Sequence, residues 1–75
     1  MQMEYKAEYK RLGLNIAFYR KLKNLSQEKL AEMANISRTH MSRIETAECA
    51  VSLDVVFKLA DALEVEPYKL FQNKE

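Results

Sequence analysis

Apolar residues recur every three or four positions along most of this chain, which is the spacing that places side chains on one face of an α-helix. In the first third, Tyr9, Leu12, Ile16 and Tyr19 follow this spacing and predict a helix over residues 6–23. No segment alternates between apolar and polar residues with turn residues at both ends, as a half-buried strand does. The pattern therefore predicts an all-α fold.

Serines mark where the next three helices begin. Ser26, Ser37 and Ser52 each precede a segment with helical periodicity. A serine hydroxyl at that position can accept a hydrogen bond from a backbone N–H of the first helical turn. We expect a second helix of about two turns from Gln27, a third helix over residues 37–45, and a fourth helix after Ser52.

Other residues predict helix ends and the packing between helices. Asn24 and Asn35 suit the left-handed conformation that commonly follows a helix. Gly13 lies inside the first helix and should lower its stability by about 1 kcal/mol relative to alanine. Met33 and Met41 are expected to pack in the core rather than to form an adaptable binding surface.

The last predicted element is short. Pro67 is favoured in the first turn of a helix, so residues 66–71 predict a fifth helix. We expect this helix to present Leu70 and Phe71 to the core.

The length and composition predict a single domain with an uneven distribution of charge. Seventy-five residues are too few for two independent cores, so residues 1–75 predict one domain. The net charge is +1, but residues 1–45 carry nine Lys or Arg against five Asp or Glu, whereas residues 46–75 carry three against six. A chain polarised in this way can bind phosphate with its basic part.

The reactive side chains are too few for a catalytic or metal centre. Cys49 and His40 are the one cysteine and the one histidine of the sequence, which excludes an internal disulfide and leaves no zinc site and no nucleophile with its base. We expect no enzyme activity, no metal or cofactor, and no small-molecule ligand. Because apolar stretches are short, we also expect no signal peptide and no membrane span, and therefore a cytoplasmic protein.

The second and third predicted helices form a specific arrangement. A turn of about three or four residues joins them. On the third helix Met41 and Ile44 point inward, whereas Arg38 and Arg43 lie on the other face. This is the layout of a helix-turn-helix, whose second helix enters the major groove of DNA.

Two segments carry a resemblance to a known family. Residues 25–45, LSQEKLAEMANISRTHMSRIE, and residues 52–63, SLDVVFKLADAL, closely resemble the phage-repressor and Cro-like, or XRE-type, transcriptional regulators. The resemblance spans residues 12–71. It implies a five-helix, lambda-repressor-like domain with its helix-turn-helix at helices 2 and 3. It also implies sequence-specific binding of double-stranded DNA and regulation of transcription, with repression expected.

The resemblance further implies roles for individual side chains. The base-reading positions are Arg38, Thr39, Ser42 and Arg43. The phosphate-binding positions are Gln27 and Ser37. His40 is not part of this match; as a lone histidine on the flank of the third helix, it is expected to lie beside a phosphate or to be solvated. An arginine in a base-reading position can bond guanine O6 and N7 together, which is worth about 1 to 3 kcal/mol of discrimination. Arg20 and Glu45 match a structural ion pair that ties the first helix to the end of the third.

Some positions depart from the family pattern. Relatives often have glycine where this chain has Asn35, Ala47 and Glu64, and proline where it has Val51. Asparagine tolerates the left-handed conformation, but alanine and glutamate lose roughly 1 kcal/mol in it, so reshaped turns are expected there. Glu48 stands in a loop that often supplies basic phosphate contacts. We therefore expect modest affinity per monomer and a homodimer whose reading helices lie about 34 Å apart.

Two alternatives stay open at the level of the sequence. The fold can also serve as a protein-binding module, such as an antitoxin-like or anti-repressor partner, although such a module has no need of the phosphate-binding and arginine positions. The dimer surface is also undetermined. Its candidates are the aromatic residues that a core this small cannot all bury: Tyr5, Phe18, Tyr68 and Phe71.

Overall fold

The computed structural model describes residues 4–73, and within that range the chain is helical without any strand. Its elements in chain order are α1 (Lys6–Leu22), α2 (Gln27–Met33), α3 (Arg38–Glu45), α4 (Leu53–Leu63) and a 3₁₀ helix (Pro67–Phe71). The predicted all-α class is correct. The fold has four α-helices rather than five, because the fifth predicted helix is a single short 3₁₀ segment. No helix between residues 4 and 73 is long and apolar enough to cross a membrane.

The three capping serines begin α2, α3 and α4 as predicted. Each hydroxyl oxygen accepts the backbone N–H three residues further along the chain. The bonds measure 3.0 Å to Ser26, 3.0 Å to Ser37 and 3.2 Å to Ser52. Each cap satisfies one of the N–H groups that have no partner within the helix. The first residue of each of these helices is therefore specified by a hydrogen bond within its own first turn.

Four turns contain a residue in the left-handed region. Asn24, Asn35, Ala47 and Glu64 have φ angles of 58°, 58°, 59° and 60°. The first two were expected there. Ala47 and Glu64 keep the left-handed turn without glycine, so these turns are not reshaped, and each costs roughly 1 kcal/mol.

The core lies between α1, the helix-turn-helix pair and α4. Its larger fully buried side chains are Ile16, Leu30, Met41, Ile44, Val56, Leu59, Leu63 and Leu70. Two predictions about the core were wrong. Met33, in the last turn of α2, is 47% exposed, and Phe71 is 48% exposed while its neighbour Leu70 faces inward. The buried face of α2 is formed by Leu30, Ala31 and the following Ala34, and helical geometry places Met33 to one side of it.

Gly13 lies where α1 passes closest to α3. A Cβ atom at this position would come within 2.5 Å of the Ile44 carbonyl oxygen and 2.7 Å of the Glu45 carbonyl oxygen. Real Cβ atoms do not approach backbone oxygens so closely. The glycine that weakens α1 as an isolated helix is thus the residue that lets α1 approach the end of α3.

A buried amide attaches α1 to the last described residues. Asn15 is 3% exposed, and its Nδ2 donates hydrogen bonds to the carbonyl oxygens of Leu70 at 2.9 Å and Gln72 at 2.8 Å. A buried amide without partners would be costly, so these two bonds specify where the chain lies after the 3₁₀ helix.

Candidate nucleic-acid interface

A short left-handed turn sets the angle between α2 and α3. Asn35 takes the left-handed conformation, and the Ile36 backbone N–H bonds the Ala31 carbonyl oxygen at 2.9 Å. The Ile36 side chain packs against the core cluster. Ser37 then caps α3 immediately. The pair therefore has the geometry of a helix-turn-helix.

The two faces of α3 have opposite character. Met41 and Ile44 are buried. The opposite face presents Arg38, Thr39, Ser42 and Arg43, of which Ser42 is half-buried and the other three are exposed. Among residues 4–73, none of these four side chains forms a hydrogen bond or an ion pair. The structure thus brings the four predicted base-reading residues together on one face.

Ser37 is the N-cap of α3, and His40 lies in its first turn. The Ser37 hydroxyl oxygen accepts from the His40 backbone N–H, so its own proton remains available for a phosphate oxygen. The His40 side chain is half-buried. The N-terminus of a helix also favours anions through its exposed N–H groups.

The Gln27 side chain forms a hydrogen bond within the protein. Its Nε2 donates to Glu45 Oε1 at 2.9 Å. Arg20 donates to the same carboxylate through Nε at 2.7 Å and Nη2 at 3.1 Å, and through Nη1 to the Leu25 carbonyl oxygen at 2.8 Å. The Arg20 and Glu45 side chains are only 12% and 6% exposed. Three helices therefore meet at one nearly buried carboxylate.

The pairing of Arg20 with Glu45 agrees with the resemblance, whereas the bond from Gln27 to Glu45 and the close approach at Gly13 were not predicted. The phosphate-binding role of Gln27 stays a prediction. No signal in the sequence pairs Gln27 with Glu45, because the spacing is too large for neighbours on one helix. Gly13 carried a detectable signal, since a glycine inside an otherwise regular helix marks a close approach of another backbone.

The loop after α3 carries a carboxylate instead of a cation. Thr46 Oγ1 lies 2.7 Å from Glu48 Oε2 and 3.0 Å from the Ser42 carbonyl oxygen, and its one proton can be donated to either acceptor. Cys49 is half-buried and packs against the core cluster. Between residues 4 and 73, no three His, Cys, Asp or Glu residues are arranged to hold a metal ion.

The four aromatic residues predicted for the dimer surface do not form one patch. Tyr5 and Phe71 line a largely apolar groove of about 310 Å³ together with Leu53 of α4. Phe18 lines a different groove on α1, and its ring meets the Tyr19 ring edge to face. Tyr68 is 58% exposed and lines neither groove. The predicted dimer surface is thus divided between separate regions.

This fold and this exposed helix face define a helix-turn-helix DNA-binding domain. Residues 16–70 match the model of the helix-turn-helix family HTH_3. The chain belongs to that family and is a DNA-binding regulator of transcription.

Several relatives share most of this sequence or fold. The control protein C.SmaI of Serratia marcescens is 41% identical over 63 residues, which are 84% of this chain and 75% of that protein. The control protein C.BamHI of Bacillus amyloliquefaciens is 47% identical over 47 residues, which are 63% of this chain and 58% of that protein. The restriction-modification controller protein C.AhdI from Aeromonas hydrophila has a similar crystal structure. Its TM-score is 0.84 at 37% identity, covering 87% of this chain and 98% of that chain.

Proposed function

We propose that this protein is a controller of a restriction-modification system that binds double-stranded DNA sequence-specifically and reads the major groove with α3. The similarity to C.SmaI and C.AhdI over more than four-fifths of this chain supports this assignment. The single observation that carries the DNA-reading part is the exposed face of α3, whose polar side chains have no partner within residues 4–73.

The chemistry of that face suits base edges. Arg38 and Arg43 each offer the planar fork that matches guanine O6 and N7, and Thr39 and Ser42 can donate or accept. The α3 N-terminus is capped through the Ser37 oxygen, which leaves the hydroxyl proton for phosphate. Ser37 and His40 would then fix the register of the helix, and the four base-reading side chains would select the sequence.

We further propose that the protein acts as a homodimer. One α3 of eight residues reaches few base pairs, and a second copy would place another reading helix about 34 Å away. The groove that contains Tyr5, Leu53 and Phe71 supports this proposal, since it exposes large apolar side chains next to one another. Sedimentation at tens of micromolar protein, roughly the range for a moderate dimer, should give a dimeric mass, and a monomeric mass would contradict it.

Fluorescence anisotropy tests the DNA-reading proposal. Wild type, Arg38→Ala/Arg43→Ala and Lys10→Ala/Arg11→Ala are titrated onto the duplex upstream of the protein's own gene and onto a scrambled duplex, at two salt concentrations. Lys10 and Arg11 line the α1 groove that contains Phe18, so this variant removes the same charge from another surface.

We expect wild type and Lys10→Ala/Arg11→Ala to prefer the upstream duplex, and Arg38→Ala/Arg43→Ala to lose that preference while keeping its fold. A preference that survives in Arg38→Ala/Arg43→Ala would exclude α3 as the reader. No binding to either duplex at low salt would favour a protein-binding module instead. A promoter fusion to a reporter gene then tests the direction of regulation, and repression is the expected result.

A further inference from the structure

Three large apolar side chains lie on the side of α1 that is turned away from the core. They are Leu14, Phe18 and Leu22, each four residues from the next, and they are between 44% and 63% exposed. Leu12 and Ile16, on the opposite side of the helix, are buried. Residues four apart are neighbours on a helix surface, so the three exposed side chains form an apolar stripe about 12 Å long.

The charged residues beside this stripe are all cations. Lys10, Arg11 and Lys21 are exposed, and helical geometry places them next to the stripe. None of the three belongs to an ion pair within residues 4–73. Glu8, the one acidic residue of α1, lies on another side of the helix, where it lines a different groove. We call the apolar stripe and these three cations the outer face of α1.

Part of the outer face is concave and held in place. An open groove of about 420 Å³ is lined by Leu14 and Phe18, and Asn73 lines it as well. The Phe18 ring meets the Tyr19 ring edge to face, with the ring centroids 5.1 Å apart, and Tyr19 packs against the core cluster. Because the Phe18 ring is already restrained, a ligand that covers it loses little affinity to the ordering of this side chain.

We propose that the outer face of α1 binds an acidic amphipathic helix of a protein partner. The apolar side chains of such a helix, three or four residues apart, would cover the stripe. Its Asp and Glu side chains would pair with Lys10, Arg11 and Lys21, which have no such partner within residues 4–73. This surface differs from the α3 face and from the groove that contains Tyr5.

The charge of the outer face decides among possible occupants. A second copy of the same face would place cations opposite cations, which repel one another. The DNA backbone would pair with the cations but offers little apolar surface to cover three large side chains. An acidic amphipathic helix supplies both the opposite charge and the apolar surface.

A fluorescently labelled synthetic peptide tests the proposal. It has about 18 residues, with leucine at every third or fourth position, glutamate beside the leucines, and a hydrocarbon cross-link on the opposite face that holds it helical. A second peptide has the same composition in an order that leaves no apolar face. We expect the whole protein to bind the first peptide with a Kd of about 10 to 100 µM and the second at least about tenfold more weakly. No binding of the first peptide, or equal binding of both, would overturn the proposal.

Leu14→Ser/Phe18→Ser tests the apolar stripe. Leu53→Ser/Phe57→Ser is the matched control, because it makes the same change at a similarly exposed leucine and phenylalanine four residues apart on α4. We expect the first variant to lose at least about tenfold in affinity for the amphipathic peptide and the second less than about twofold. Equal losses in the two variants would show that the peptide does not bind the stripe.

Charge reversal tests the cations while the stripe stays intact. At about 0.15 M salt, Lys10→Glu/Lys21→Glu should lose about tenfold in affinity for the amphipathic peptide. Lys29→Glu/Lys58→Glu changes the charge of the protein equally at exposed lysines on α2 and α4 and should lose less than about twofold. An unchanged affinity in Lys10→Glu/Lys21→Glu would exclude an acidic partner.

Other occupants are tested directly. Lys10→Ala/Arg11→Ala should bind the scrambled duplex within about twofold of wild type, and Leu14→Ser/Phe18→Ser should keep the wild-type mass in sedimentation. Vesicles of phosphatidylcholine and phosphatidylserine should not bind wild type. Weaker duplex binding, a smaller mass, or vesicle binding that Leu14→Ser/Phe18→Ser abolishes would assign the face to DNA, to a second copy or to a membrane, and each would overturn the proposal. If wild type prefers neither duplex, the DNA-reading proposal fails, and the peptide titrations still decide the role of the outer face.

Discussion

The two ends of α3 are held in opposite ways. At the C-terminal end, the Glu45 carboxylate binds side chains of α1 and α2, and the backbone lies against Gly13. At the N-terminal end, the Ser37 hydroxyl caps the helix, and Arg38 and Thr39 extend into solvent. One end is fixed by the protein, and the other offers its polar groups to a ligand.

This difference shows how a helix of only eight residues can have a restrained orientation and still expose polar groups for binding. An isolated helix of that length is unstable in water, so its geometry must come from its neighbours. Restraining the C-terminal end sets the direction of the axis. The N-terminal end then keeps its unpaired N–H groups and exposed side chains for an anionic partner. Substitutions at either end of α3, compared with substitutions at reference sites, should therefore have different effects.

The largest expected effect comes from Glu45→Ala. The substitution removes the acceptor of both Arg20 and Gln27 and leaves a guanidinium that is only 12% exposed without its counter-charge. We expect a loss of about 3 kcal/mol, which corresponds to a fall of more than about 10 °C in melting temperature for a domain of this size. Calorimetry of wild type and variant measures it.

Glu32→Ala is the matched control, because Glu32 forms an exposed ion pair with Lys29 within α2. Its melting temperature should differ little from that of wild type. A fall of less than a degree or two in Glu45→Ala would show that the buried carboxylate does not hold α3.

Gly13→Ala should have the next largest effect. Alanine favours helix by about 1 kcal/mol over glycine, but its Cβ would overlap the carbonyl oxygens of Ile44 and Glu45. The backbones must separate, and we expect a net loss of about 2 kcal/mol in the free energy of unfolding, measured in urea. Ala17→Gly makes the opposite substitution on the same helix and serves as the comparison for the effect of helix propensity. A variant Gly13→Ala more stable than wild type would contradict the close approach.

Ser37→Ala tests the other end of α3. Loss of the cap should cost about 1 kcal/mol of stability. Ser52→Ala removes the equivalent cap from α4 and should cost about the same. Only Ser37→Ala should also weaken DNA binding, by about five- to tenfold. Equal affinities of the two variants in anisotropy titrations would argue against a phosphate contact from Ser37.

The smallest effect concerns an exposed ion pair that serves as a reference for Arg20 and Glu45. Lys23 donates a hydrogen bond to Glu64, and this bond and the ammonium charge lower the pKa of the Glu64 carboxyl below its ordinary value of 4.5. A carboxyl with a lowered pKa in the folded state adds stability at pH above 4.5, and that stability disappears as the pH falls through the lowered value.

Melting temperatures of wild type and Glu64→Gln should therefore differ slightly near neutral pH and converge as the pH falls below 4.5. Because the Glu64 side chain is 75% exposed, added salt should also reduce the difference. A difference that grows on acidification would contradict this assignment.

The sequence predicted those parts of the fold that depend on neighbouring residues. The capped starts of α2, α3 and α4 follow from serines whose partners are three residues away. The turns at Asn24 and Asn35 follow from the preference of asparagine for the left-handed region. The inward and outward faces of α3 follow from helical periodicity alone.

Features that depend on distant residues could not be predicted in this way. The Gln27 amide bonds a carboxylate 18 positions away, and the need for Gly13 arises from carbonyl groups on α3. Phe71 was expected to be buried, but Leu70 already fills the core at that place. The base-reading and phosphate-binding roles stay predictions, because they require DNA as a partner.

The two hydrogen bonds of the Asn15 amide can form only late in the synthesis of the chain. Its two acceptors lie 55 and 57 residues later in the chain. Translation adds about 5 to 20 residues per second, so several seconds pass on the ribosome before either carbonyl group exists. The rest of α1 and the helix-turn-helix are synthesised during that time, while the amide at position 15 lacks the two acceptors that it bonds in the folded domain. All residues of α1 and the helix-turn-helix are therefore synthesised before the Asn15 amide can bond the carbonyl groups of Leu70 and Gln72.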